Sequence, residues 1–147
     1  MFKKMLLALD GSDQSKHALK YAIDSASKWE AELLLISVIP FHSALLFYDD
    51  GASVIDLEEY DKTMNKIHSE ILADAKAEIE SVNPDLKVKT LLRTGHVPSV
   101  IIEEADNEDA DLIIMGSRGL SGIKSWVLGS ISKAVVEQCT KPILLVK

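Results

Sequence analysis

The sequence holds a single cysteine, Cys139, so no disulfide can form within the chain and a reducing cytoplasm is the expected setting. Basic charge is also short. Against 23 Asp and Glu stand 16 Lys and Arg, a formal net charge of −7. A general nucleic-acid or anionic-membrane binder needs a basic face, so neither partner is expected. Aromatic residues make up only 5% of the chain and are scattered rather than interleaved with arginines. Long hydrophobic runs are missing too. The apolar start Met5 to Leu9 is cut by Asp10 well short of a signal-peptide core. The stretch Leu33 to Phe41 contains Ser37 and Pro40, whereas a membrane helix needs about 20 predominantly apolar residues. Export and membrane insertion are therefore not expected.

What is present is ordinary globular usage, with 47% hydrophobic and 27% charged residues in 147. That length predicts one compact domain over residues 1–147. Apolar runs predict strands over Met5 to Leu9, Leu33 to Ile39, Val88 to Leu92, Leu112 to Met115 and Ile143 to Val146, hydrophobic enough to be covered on both faces. Helical periodicity separates them. Leu19, Ala22, Ile23 and Ala26 form one face of a helix over Asp13 to Trp29. Met64, Ile67, Ile71, Ala75 and Ile79 form the stripe of a second over Leu57 to Val82, which Asn83-Pro84 stops. A third begins near Pro98 and turns Ile101 and Ala105 inward, and a fourth opens near Ser130 with Ile131, Ala134, Val135 and Cys139 on its apolar side. The alternation predicts an α/β fold: an open, doubly wound, five-stranded parallel sheet of order 3-2-1-4-5 with helices on both faces. The segment Pro40 to Asp56, with the apolar tip Ala44 to Tyr48, is long for a connection in such a fold and reads as a lid or a partner contact.

In a sheet of this order the ligand crevice lies beyond the carboxyl ends of the first and fourth strands. Asp10-Gly11-Ser12-Asp13 and Gly116-Ser117-Arg118-Gly119 fall there. The second segment runs on to Gly129-Ser130 and holds four of the chain's seven glycines. Glycine permits positive φ and close backbone approach, so successive N–H groups can converge on an anion, and the helix opening at Ser130 adds its free N–H groups and dipole. A plain glycine-rich turn is the competing reading from composition alone. Two familiar phosphate motifs are absent. Gly122-Ile123-Lys124-Ser125 lacks the Gly-Lys pair of a P-loop, and no G-x-G-x-x-G follows the first strand. Asp10 itself either caps the next helix or meets a ligand, while Ser12 and Asp13 read as capping groups.

The spacing Gly116-x2-Gly119-x9-Gly129-Ser130, after an apolar strand and before a helix, resembles the ATP-binding motif of universal stress proteins. The opening Leu6 to Ser12 and the ending Cys139 to Val146 resemble that family as well, in the family's order and over essentially the whole chain. The resemblance implies ATP with Mg²⁺ or Mn²⁺ on its phosphate oxygens. It implies that Asp10 and the backbone around Val38, with Ala8 nearby, hold adenine. Met115 and Gly116 would then meet the ribose, and Gly119, Gly129, Ser130 and Ile131 the phosphates. It also implies a homodimer through the last strand, Pro142 to Val146, an apolar edge that a monomer leaves unpaired.

The expected function is thus an ATP-binding, stress-response regulatory module, cytoplasmic, acting on a protein partner that the sequence does not identify. Two alternatives remain beside it: a nucleotide-independent dimeric interaction module of the same fold, and a slow ATPase, since binding phosphates is not hydrolysing them. A phosphoacceptor receiver would need an aspartate after the third strand, where Arg93-Thr94-Gly95 stands. The histidines His17, His42, His68 and His96 show no metal-ligand or triad spacing and read as structural. Arg118 and Lys124 can each face phosphate or solvent. The acidic run Glu103 to Asp111 reads as the exposed end of the third helix.

Overall fold

The computed structural model describes residues 1–41, 57–119 and 128–147. The strand and helix periods sort into the order β1 (Lys4–Ala8), α1 (Asp13–Trp29), β2 (Glu32–Pro40), α2 (Leu57–Val82), β3 (Val88–Gly95), α3 (Val97–Asn107), β4 (Leu112–Gly116), α4 (Ser130–Gln138) and β5 (Ile143–Val146). One parallel sheet of order β3-β2-β1-β4-β5 results, as expected from the alternation. Its centre is a row of leucine and isoleucine: Leu6 aligns with Leu34 on one side and Ile113 on the other.

Because successive strand residues point to opposite faces, each strand feeds two cores. On one face Leu7, Leu33, Leu35 and Ile114 pack against Ala18, Leu19, Ala22 and Ile23 of α1 and Leu72, Ala75 and Ile79 of α2. On the other, Leu6, Leu34, Ile36 and Ile113 pack against Ile101 and Ala105 of α3 and Val135 of α4. The strand β3 runs three residues further than its apolar stretch suggests. It lies at the sheet edge, where Lys89 and Thr90 are exposed and backbone pairing with β2 through Pro40↔Gly95 replaces a buried run.

Two helices depart from expectation. On α2 the buried residues are His68, Leu72, Ala75 and Ile79, whereas Ile67 is 44% exposed and Ile71 is only half-buried. The inward line of the helix therefore descends through Met64, His68 and Leu72, one position round from the apolar stripe at its amino-terminal half. On α4 the expected apolar side holds, with Val135 buried and Ile131 and Cys139 packed against the same core; the departure is that Ser132 is buried too and that Cys139 stands at the carboxyl-terminal cap. The amino terminus of α1 is capped as expected: Ser12 Oγ accepts from Ser15 N at 3.1 Å, and Asp13 adds a carboxylate to the first turn.

The acidic run is not a bare solvated end. Glu104 pairs with Arg93, Glu108 with Lys89 and Asp106 with Lys141. Asp111 Oδ2 accepts from the backbone N–H groups of Lys3 and Lys4 at 2.7 and 3.0 Å, which fastens the start of β1. These bonds hold the Asp111 carboxyl below its ordinary range, and the Lys89 ammonium does the same for Glu108. Lys89, Lys141 and Asp111 stand at the amino-terminal ends of their strands, whereas Arg93 stands in the carboxyl-terminal half of β3, in register with Val38.

Candidate functional site

At the carboxyl ends of the strands a cleft of about 370 Å³ opens across the sheet. Its lining includes all nine residues singled out in the sequence: Ala8, Asp10, Val38, Met115, Gly116, Gly119, Gly129, Ser130 and Ile131. They come from β1, β2, β4, the segment after β4 and the start of α4, so only the strand order brings them together.

The lining of the cleft is of two chemical kinds. One is apolar, made by Ile36, Val38, Met64, Ile101 and Met115. The other is backbone-rich, made by Gly116, Gly119, Gly129 and the first turn of α4. Gly129 is the amino-terminal cap of α4 and no side chain bonds the helix's first N–H groups, which leaves them available. Ser130 is the first residue of α4 and lines the cleft.

The glycines serve space rather than unusual backbone angles. Among the described glycines only Gly11 and Gly95 have positive φ. A Cβ on Gly129 would come within 3.3 Å of Arg118 Cα and 3.4 Å of Ser117 O, and one on Gly119 within 2.8 Å of Asp10 Oδ2. The carboxylate of Asp10 is shared between the turn after β1 and the cleft. Oδ1 accepts from Ser12 N at 2.9 Å in the turn before α1, while Oδ2 lies against Gly119 at the cleft.

Two side chains and one backbone hydrogen bond brace the stem of this glycine segment. Gln14 Oε1 accepts from Arg118 N at 2.7 Å and from Ser117 Oγ at 3.2 Å, joining α1 to the segment. Ser132 Oγ donates to Gly116 O and Ser117 O at 3.1 and 3.0 Å. Ser117 N donates to Val146 O at 2.8 Å, extending the β4–β5 ladder. Gln14 escaped the sequence reading because nothing local marks it: its partners lie more than a hundred residues away. Arg118 lines the cleft. Lys124, the rest of the glycine segment and the expected lid between Pro40 and Asp56 fall mostly outside the described residues.

His68, read from the sequence as structural, is buried and hydrogen-bonded at the cleft. It stands one turn after Met64 on the buried line of α2, lines the cleft and is 7% exposed. Its Nδ1 meets Ser37 Oγ at 2.7 Å. The other described histidines are engaged elsewhere, His17 with Lys147 O and His96 with Ser99 Oγ. Among the described residues no group of three or more His, Cys, Asp or Glu is placed to hold a metal ion.

Burial pushes the His68 imidazole below its ordinary 6.5, with the nearby Asp10 charge partly opposing. The unfolded chain therefore takes up a proton that the folded protein refuses. Stability is expected to be full above pH 6.5 and to fall as the pH drops through the window just below it. Asp111 and Glu108, whose carboxyls are held below 3.8 and 4.5, add losses only further into acid. Urea midpoints measured from neutral pH downward should show both stages, and His68→Leu should flatten the first alone. A first stage that survives in His68→Leu assigns it to another group.

The profile of the Universal stress protein family matches residues 1–147. Universal stress protein YxiE of Bacillus subtilis is 33% identical over 152 residues, covering the whole of both chains. Universal stress protein MJ0577 of Methanocaldococcus jannaschii is 30% identical, covering all of this chain and 96% of the relative. The solved structure of MJ0577 superposes with a TM-score of 0.77 over 100% of this chain and 96% of that one, at 29% identity. Two more distant structures share the fold. A universal stress protein in complex with cAMP gives a TM-score of 0.73 at 23% identity, covering 99% of this chain and 97% of that one. The universal stress protein from Archaeoglobus fulgidus in complex with dAMP gives 0.67 at 20%, covering 100% and 98%. The chain belongs to the universal stress protein family. Among the described residues no helix is long and apolar enough to cross a membrane.

Proposed function

We propose that the cleft binds an adenine nucleotide, ATP carrying Mg²⁺ or Mn²⁺ on its phosphates, and that the chain works as a nucleotide-dependent regulatory module of the stress response in the cytoplasm. One observation carries this reading: apolar side chains and a glycine-rich segment that runs into the amino terminus of α4 line one cleft of about 370 Å³. That volume lies within the range of small-molecule sites, roughly 300–1,000 Å³. The apolar lining suits the faces of a base, and the first turn of α4 suits phosphate. Two family members solved with cAMP and dAMP, both adenine nucleotides, support the choice of ligand class. The metal would ride on the phosphates, its coordination completed by water and phosphate oxygens rather than by a protein cluster.

A homodimer through β5 belongs to the same proposal. β5 is an edge of the sheet, Ile143 to Leu145 are only half-buried, and Val136 on the adjoining α4 is 42% exposed. The hydrogen bond from Ser117 N to Val146 O ties the glycine segment to this edge, so a nucleotide that fixes the segment can bias the dimer.

Calorimetric titration of the purified chain with Mg-ATP, with AMP and GTP as comparisons and light scattering on the same samples, tests the proposal. Micromolar or tighter ATP binding, weaker for AMP, is the expected result, on a dimeric species. No binding by folded, nucleotide-free protein makes the cradle a structural turn and leaves a nucleotide-independent interaction module.

A further inference from the structure

The hydrogen bonds around His68 determine which of its nitrogens carries the proton. Ser37 Oγ lies 2.7 Å from Leu9 O and 2.7 Å from His68 Nδ1. A hydroxyl has one proton to give. Leu9 O is a carbonyl with no proton of its own, and two oxygens at that separation attract only if a proton lies between them. The Ser37 proton therefore goes to Leu9 O, and toward the imidazole Ser37 Oγ can only accept. Nδ1 is the donor. In a neutral ring this leaves Nε2 bare, a single in-plane acceptor on the ring edge turned away from Ser37. Burial keeps the ring neutral at physiological pH.

Among the described residues nothing donates to that nitrogen, although the side chain is more than nine-tenths buried and lines the cleft. A buried acceptor without a donor is costly, so the site is built to receive one from a ligand. Its neighbours say which part. His68 stands one turn after Met64 and meets Ser37, the neighbour of Val38 on β2, whereas the glycine-rich lining comes from Gly119, Gly129 and α4.

Resting on the nucleotide reading above, we propose that His68 reads the base: its Nε2 accepts a hydrogen bond from the exocyclic 6-amino group of adenine and thereby selects 6-aminopurine over 6-oxopurine nucleotides. Hypoxanthine and guanine present a carbonyl oxygen where adenine presents the amine. Two lone pairs then face each other across the cleft.

ATP and ITP differ in this respect while keeping the same ribose and phosphates. Titrating Mg-ATP and Mg-ITP into wild-type protein and into His68→Leu at neutral pH tests the inference. Wild type is expected to favour ATP by about tenfold or more. In His68→Leu, where Ser37 keeps its bond to Leu9 O, the ratio should fall close to one through weaker ATP binding, with ITP unchanged or tighter. ATP binding with the same ratio in both proteins overturns this inference alone. Equal losses for ATP and ITP place Nε2 on a donor common to both, such as a ribose hydroxyl, and overturn it as well. Failure of wild type to bind either nucleotide overturns the nucleotide reading itself, and this inference with it. Should His68→Leu not fold, imidazole nitrogen resonances of wild type give the answer. Nε2 should be of the unprotonated type in the free protein and move on adding ATP but not ITP; a protonated Nε2 in the free protein, or equal shifts with both, overturns the assignment.

Discussion

Gly119→Val is expected to weaken Mg-ATP binding by about a hundredfold or more while leaving the urea midpoint near that of wild type. The reason is local. A Cβ at position 119 would stand 2.8 Å from Asp10 Oδ2, and Asp10 cannot swing away freely because its other oxygen accepts from Ser12 N. Valine therefore pushes the glycine segment off the end of β1 and turns its N–H groups away from the phosphates. Hydrogen bonds to charged groups contribute about 1.5–3 kcal/mol each, so losing two is enough for the expected change, at about 1.4 kcal/mol per decade. Among the described residues the one atom within 4 Å of such a Cβ is Asp10 Oδ2, not a core side chain, which is why stability should hold. Gly129→Val should act similarly through Arg118 Cα and Ser117 O, although it strains the segment itself rather than its contact with β1. Calorimetry on both variants decides the matter. Wild-type affinity in the two together would sink the phosphate-cradle assignment.

The sheet was legible because its information is local and repeated. Leu33 to Ile39 is too apolar to be half-exposed, and the α1 face at Leu19, Ala22, Ile23 and Ala26 has one period and one cap, Ser12. Strand order then followed from chain alternation, and with it the end of the sheet at which a ligand fits. What escaped was of two kinds. The inward position of His68 is hidden in the sequence because apolar periodicity points to Ile67 and Ile71, while the buried line of α2 runs through a polar residue. A histidine is tolerated there only because Ser37 on β2 meets it, a contact between residues on different elements. Gln14 and the Asp10–Gly119 approach escaped for the same physical reason: each joins α1 or the end of β1 to the segment after β4, and no pattern along the chain encodes the distance. The glycine motif was found, yet its cause was only half foreseen. Gly119 and Gly129 have no positive φ and are required by close approach.

Leu34→Ala and Leu35→Ala are each expected to lower unfolding stability by about 2–5 kcal/mol, and the two together by close to the sum. Both side chains are fully buried in the same strand, yet they point to opposite faces: Leu34 into the core against α3 and α4, Leu35 into the core against α1 and α2. Adjacent residues usually couple, but coupling needs shared partners or a shared cavity, and here the sheet separates the two voids. A domain of this kind has only about 5–15 kcal/mol in hand, so the double variant should be near or beyond its unfolding midpoint in water at 25 °C. The same logic reaches the cleft. Val38 and Met115 continue one core, Leu9 the other, and the cleft draws its walls from the rims of both. Loosening either face should therefore weaken nucleotide binding before the protein unfolds. Urea curves with unchanged slope, read beside ATP titrations of each single variant, would show both effects. A double variant no less stable than the worse single one would mean that the two faces relax into each other through the strand, and that the sheet does not partition the molecule as its side-chain alternation indicates.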